Sequence, residues 1–210
     1  MGIYAIKPRF RALLGGAADA LARRGVTPDQ ITTAGIVASL LGGVALATGR
    51  CWRGAYKAVP VLALTRTAAN ALDGMVAERS GLARSAGELY NETADRLGDA
   101  AFLVGAATVP GVPPSLALGA LVSAELASFV GVAAKAAGGE RRYDGPMGKP
   151  DRMATIGAAG LVAGLVRRPH RPINAALLAI VVGAAATAAN RYRAAYASLE
   201  HSVDTPATAG

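Results

Sequence analysis

Cysteine is almost absent from this chain. Cys51 stands alone, so no intrachain disulfide can support the fold. Histidine is nearly as scarce, with only His170 and His201, far apart, and the sequence holds neither a P-loop nor a Gly-x-Ser-x-Gly elbow. Those absences remove His/Cys metal clusters, P-loop phosphate binding and serine-esterase chemistry. Charge is also thin: 17% of the 210 residues are charged against 52% hydrophobic, with a mean hydropathy of +0.34. Soluble domains average about 25% charged residues, so the composition points to an all-α integral membrane protein.

Two apolar runs carry no charge, Ile31–Thr48 and Pro172–Asn190, and each can cross a hydrocarbon core once flanking residues are included. Four weaker spans are predicted near Lys57–Leu72, Gly87–Val109, Ser115–Ala134 and Met153–Val166, each diluted by Ala and Gly, which allow close helix contact in lipid. The expectation is therefore six transmembrane helices. A net charge of +8 would point to nucleic acid in a soluble protein, but here the basic residues segregate by loop. Lys7, Arg9, Arg11, Arg23, Arg24, Arg79, Arg84, Lys135, Arg141, Arg142, Lys149, Arg152, Arg191 and Arg193 fall on one side. Arg50, Arg53, Lys57, Arg167, Arg168 and Arg171 fall on the other. The positive-inside bias then predicts a multi-pass cell-membrane protein with both termini cytoplasmic and no nucleic-acid partner.

Residues 1–28 hold no spanning run. Ile6, Phe10, Leu13, Leu14, Ala17 and Leu21 recur at helical spacing beside Lys7, Arg11, Arg23 and Arg24, which predicts a basic interfacial helix drawn to anionic lipid and ended by Gly25. Thr27 is placed to cap the first span, with Pro28 at its first helical position. Residues 29–198 form the expected six-helix domain, and 199–210 have the composition of a disordered tail. Three prolines between Pro110 and Pro114 mark a turn. Glu125, the lone charge in its span, reads either as half of an interhelical ion pair with Arg66 or Arg96, or as an extra metal ligand.

The chemistry is concentrated between Asn70 and Asp99. At helical spacing Glu88, Asn91, Glu92, Asp95 and Asp99 share one stripe, while Leu89, Thr93, Leu97, Ala100 and Ala101 take the other side. Asn70 and Asp73 share a face of the preceding helix, with Arg66 one turn earlier. A short polar loop with glycines at Gly74, Gly81 and Gly87 is expected between the two helices. Oxygens opposed across such a cleft suit a hard divalent cation. An inert, ion-paired, water-facing helix pair is the plainer alternative.

This stretch resembles the signature of CDP-alcohol phosphatidyltransferases, Asp-x2-Asp-Gly-x2-Ala-Arg-x8-Gly-x3-Asp-x3-Asp. Asp73, Gly74, Ala77, Gly87 and Asp95 match it by identity. Asn70 and Asn91 stand where aspartates are expected, and Glu78 where arginine is expected. The resemblance implies that Asn70, Asp73, Asn91 and Asp95 hold Mg²⁺ or Mn²⁺, two ions in the family, against the pyrophosphate of a CDP-lipid. It further implies that Asp95 deprotonates the attacking alcohol, and that Gly74, Ala77 and Gly87 lie at the nucleotide. Glu88, Glu92 and Asp99 are candidates to restore the charge lost at the two asparagines. The family also forms homodimers, which these residues neither support nor exclude. The implied reaction is transfer of a phosphatidyl-type group from a CDP-linked lipid to an alcohol, releasing CMP, in phospholipid biosynthesis. An inactive protein of the same fold that binds lipid or nucleotide is the alternative.

A second polar segment, residues 135–152, lies on the same side. Gly148-Lys149 resembles the family's Gly-Lys pair, which implies that Lys149 binds the donor phosphates. Arg141, Arg142 and Arg152 are candidates for a phosphate on the acceptor or, equally, ordinary positive-inside charge.

Overall fold

The computed structural model describes residues 7–203. Within them lie seven α-helices: α1 (Lys7–Arg23), α2 (Pro28–Thr48), α3 (Val59–Ser80), α4 (Ser85–Ala107), α5 (Pro114–Ala136), α6 (Lys149–Leu165) and α7 (His170–Val203). A short 3-10 helix, Arg53–Ala58, joins α2 to α3, and no strand occurs among the described residues.

Helices α2 to α7 close into a ring. α2 packs on α3 and α4, α3 on α6, α6 on α7, α7 on α5 and α5 on α4, while α1 lies outside against α3. The packing is inverted relative to a water-soluble bundle. Small residues such as Ala63, Ala106, Ala120, Ala124 and Ala163 fill the interior beside Leu46, Phe102, Ile156 and Leu177. Large apolar side chains point out, among them Leu40, Leu41 and Val44 on α2, Leu118, Val122 and Phe129 on α5, and Leu178 and Val182 on α7. Such an exterior gains nothing in water and matches lipid. Among the described residues three helical stretches are long and apolar enough to cross a membrane, Pro28–Thr48, Pro114–Ala136 and His170–Glu200. α3, α4 and α6 also expose large apolar residues, Val61, Leu64, Val104 and Leu165 among them, but carry charge on their inner faces.

Local signals fix several ends. Thr27 Oγ1 accepts the Gln30 amide at 3.3 Å, and Gln30 Oε1 accepts the Thr27 amide at 2.9 Å, a reciprocal cap ahead of Pro28. Gly25, at φ +73°, follows α1, and Gly81, at φ +68°, ends α3. Where α2 meets α4, a Cβ on Gly43 would strike the Ala101 carbonyl and one on Gly105 would strike the Gly43 backbone, so the two helices touch main chain to main chain.

Several expectations change. α3 runs through Gly74 to Ser80 and α4 starts at Ser85, so the connection is only residues 81–84, and Gly74 and Gly87 lie inside the helices despite their weak propensity. The span predicted from Lys57 begins at Val59, and α6 begins at Lys149 rather than Met153. Helical backbone in α7 continues through Val203, past the predicted start of an irregular tail at 199; residues 204–210 lie outside the described set. On α1, Leu14 and Leu21 pack with Ala18 against Ala69, Met75 and Val76, whereas Leu13 points away at 82% exposure. Ile6 lies outside the described residues.

Candidate active site

The last turns of α3 and first turns of α4 place the motif side chains at one end of the ring, where the segment before α6 also arrives. On α3 the spacing of Arg66, Asn70 and Asp73 puts them on one inward face, and on α4 Asn91 and Asp95 answer them. Arg66 Nη2 donates to Asp95 Oδ1 in a buried ion pair. Lys149, the first residue of α6, pairs with Asp95 Oδ2. Asn70 Nδ2 donates to Asn91 Oδ1 and to Asp95 Oδ1, each at 3.1 Å. Asp73 accepts Thr32 Oγ1 from α2 at 2.8 Å through Oδ2, and its Oδ1 accepts the Gly74 amide at 2.7 Å. The buried Thr32 was invisible as a site residue because its partner lies 41 positions away.

These groups open onto a cavity of about 600 Å³ that also touches α1, α5, α6 and α7. Asn70, Asp73, Gly74, Asn91, Glu92, Asp95, Arg141, Arg142, Lys149 and Arg152 all line it. Its charged lining is uneven: Arg11, Arg96, Arg141, Arg142, Lys149, Arg152 and Arg191 against Asp73, Glu92 and Asp95. That balance suits an anionic occupant. A Cβ on Gly74 would meet nothing within 4 Å, so backbone is presented to open space there.

The basic residues do not all have the freedom assumed from sequence. Arg152 forms a buried pair with Asp99, its Nε at 3.1 Å from Oδ2, and also donates to Ser128 Oγ and the Met147 carbonyl. Arg142 donates to the Ala194 carbonyl at 2.8 Å. Arg141 pairs with Glu92, lies 3.7 Å from Glu88 and stacks over Tyr143. Arg191 donates to the carbonyls of Ala127, Tyr143 and Asp144 and so pins the segment before α6.

Other sequence candidates fall outside the cavity lining. Gly87 sits beside the Arg84–Asp29 ion pair, Ala77 lies one turn beyond Asp73, and half-exposed Glu88 binds Lys135 at 2.6 Å. Asp99 is spent on Arg152. Glu78, where the resembling signature has arginine, pairs with Arg11 of α1 at 2.8 Å, and Arg79 pairs with Asp19, so this end of α3 docks α1. Glu125 lies 3.5 Å from Arg96, which also holds Glu92 at 2.9 Å, whereas Arg66 belongs to Asp95. The interhelical ion pair, not the extra ligand, describes Glu125.

Among the described residues no three His, Cys, Asp or Glu side chains gather as a metal-binding group. The oxygens present are two carboxylates, Asp73 and Asp95, and two carboxamides, Asn70 and Asn91. All are hard donors, and with substrate or water oxygens completing the shell they fit a divalent cation of the Mg²⁺ or Mn²⁺ kind.

A ring of helices with an apolar exterior encloses, at one end of the bundle, a polar, oxygen-lined cavity whose charged lining is predominantly basic. The sequence is 34% identical over 165 residues to the inner membrane protein YnbA of Escherichia coli (strain K12), covering 79% of this chain and 82% of that protein. It is 32% identical over 163 residues to the phosphatidylinositol phosphate synthase of Mycolicibacterium smegmatis, covering 74% and 69% of the two chains. The fold matches the Mycobacterium tuberculosis phosphatidylinositol phosphate synthase PgsA1 with CDP-DAG bound, at a TM-score of 0.69 and 24% identity over 86% of this chain and 92% of that one. The same enzyme in complex with manganese and citrate gives a TM-score of 0.69 at 23% identity, covering 86% and 88%. No family model matches the sequence. The chain belongs to the CDP-alcohol phosphatidyltransferase family.

Proposed function

We propose that this protein transfers a phosphatidyl-type group from a CDP-linked lipid to an alcohol, releasing CMP, as a step of phospholipid biosynthesis. The observation that carries the reading is the meeting of Asn70, Asp73, Asn91 and Asp95 on facing helices at a basic cavity inside a lipid-facing ring. The relatives named for phosphatidylinositol phosphate synthesis, and the structural neighbour holding CDP-DAG, support it. All six ring helices cross the membrane in this reading, with α1 on the cytoplasmic surface beside the cavity and both termini cytoplasmic.

Asp95 acts as the general base. In the free site Arg66 and Lys149 pair with its two oxygens, and departure of one cation raises its basicity. Lys149 is the mobile one: it is partly exposed on the cavity wall, whereas Arg66 is buried. The donor pyrophosphate draws Lys149 off Oδ2, since phosphate competes for an ammonium as a charge-assisted acceptor. Asp95 then takes the acceptor's hydroxyl proton, the alcohol oxygen bonds to the lipid-bearing phosphorus, and the bond from that phosphorus to the CMP oxygen breaks. Asp73, Asp95 and the asparagine oxygens would hold a divalent cation, Mg²⁺ or Mn²⁺, which when bound would neutralise charge on the pyrophosphate and on the leaving CMP. Arg141, tied to the cavity by Glu92, is the group available to an acceptor phosphate, while Arg142 and Arg152 frame the wall.

Binding without turnover is the second reading, supported by the clamping of Asp95 between two cations and by the missing third acid. CMP release from CDP-diacylglycerol, measured against a panel of acceptor alcohols, separates the two.

A further inference from the structure

Resting on the reading of the cavity as a CDP-lipid site, we propose that Arg66 takes the electrostatic place of a second divalent cation, so that each chain holds one such ion where the family signature implies two. Charge is the first argument. Of the four signature positions, Asn70 and Asn91 are neutral, leaving the carboxylates of Asp73 and Asp95. Asp95 already carries Arg66 and Lys149, and Glu92 is held by Arg96 and Arg141. The fixed charge of Asp73, Asp95, Arg66 and Lys149 therefore sums to zero before any ion enters. One divalent ion is then balanced by an incoming pyrophosphate. A second would sit beside a buried guanidinium with no carboxylate left to offset it, and in a low-dielectric interior that repulsion is poorly screened.

Space is the second argument. Arg66 is 2% exposed, and the bundle has been hollowed around it. A Cβ on Gly35 of α2 would lie 3.0 Å from its Nη1, and a Cβ on Gly98 of α4 would lie 2.9 Å from its Nε. Two glycines on two helices leave the volume that the guanidinium occupies. Its Nη1 is buried with no hydrogen-bond partner, so this arginine is not retained for complete hydrogen bonding; what it supplies is positive charge at Asp95.

The third argument is the amide at position 70. Asn70 Nδ2 reaches both Asn91 Oδ1 and Asp95 Oδ1. An aspartate there would oppose Asp95 with a second carboxylate, and like charges so close need a cation between them. The carboxamide closes the same gap with N–H donors. Arg66 and Asn70 together thus do with protein groups what a bridging ion would otherwise do.

The test is a Mn²⁺ titration of the purified full-length protein in detergent with CDP present, free Mn²⁺ being followed by electron paramagnetic resonance and CDP affinity by calorimetry. The expected result is one Mn²⁺ per chain, unchanged in Arg66→Lys, rising to two when Asn70→Asp and Asn91→Asp are combined with Arg66→Met. Two ions in the unaltered protein, or a folded triple variant that stays at one, would overturn the proposal. Should the triple variant fail to fold, the stoichiometry of the unaltered chain decides alone. CDP binding with no Mn²⁺ bound overturns the one-ion proposal but leaves the nucleotide site standing, whereas failure to bind CDP at all removes the functional reading beneath it.

Discussion

Arg66 of α3 and Asp95 of α4 form an ion pair in which both side chains are nearly sealed from solvent, at 2% and 4% exposure. Asp95 is thus paired through one oxygen with a buried guanidinium and through the other with the partly exposed Lys149. The pair orients Asp95 and makes α3 and α4 depend on each other.

Removing one half should therefore be costly. Arg66→Ala leaves a buried carboxylate with one cation fewer, and breaking a buried pair costs about 3–5 kcal/mol. Thermal melting in detergent should show a drop of several degrees with Arg66→Ala and a smaller one with Arg66→Lys. A melting temperature within a degree of the unaltered protein would mean that the pair does not hold the helices.

Asp95→Asn should reduce CMP release at least about 10²-fold, the lower range for loss of general-base catalysis. CDP binding should persist, because Lys149 is freed for the phosphates. Turnover measured beside a CDP titration checks this, and activity near that of the unaltered protein removes Asp95 from the role of base.

The arginines around the cavity should separate into two groups. The ion-pair partners of Arg141 are the cavity-facing Glu92 and the exposed Glu88, so Arg141→Ala should raise the KM for a phosphorylated acceptor about tenfold, matching roughly 1.5–3 kcal/mol for one charge-assisted bond, with donor KM unmoved. Arg152→Ala strands the buried Asp99 and should instead lower the melting temperature. Equal kinetics with phosphorylated and neutral acceptors would leave Arg141 as a wall residue.

Metal affinity should be insensitive to Glu88→Gln, since Glu88 lies outside the cavity lining and is half exposed on Lys135. Surface pairs of this kind contribute about 0–1 kcal/mol. Glu92 lines the cavity, and Glu92→Gln should shift Mn²⁺ affinity through the charge it removes from Arg96 and Arg141. An equal effect from both variants would contradict this division.

Much of this was legible from residue order. The helix positions follow from apolar runs, the α2 start from Thr27 and Pro28, and the meeting of Asn70, Asp73, Asn91 and Asp95 from helical spacing on two adjacent helices. What sequence could not give was the pairing of charges brought together by the ring. Arg152 and Asp99 are 53 positions apart and Thr32 and Asp73 are 41 apart, so no local periodicity links them. Read alone, Arg152 looks like a free phosphate ligand and Asp99 like a spare acid; packed together, each satisfies the other. Gly74 and Gly87 look like loop residues because glycine has weak helix propensity, yet both lie inside helices.

Turnover at the cavity is tested most directly by CMP release. Purified protein in mixed micelles with CDP-diacylglycerol should release CMP when a suitable alcohol and Mg²⁺ or Mn²⁺ are both present, and should stop when the divalent ion is chelated or Asp95 is changed to Asn. No CMP release with any acceptor of the panel, from protein that still binds CDP, would contradict the account and leave a binding protein of the same fold.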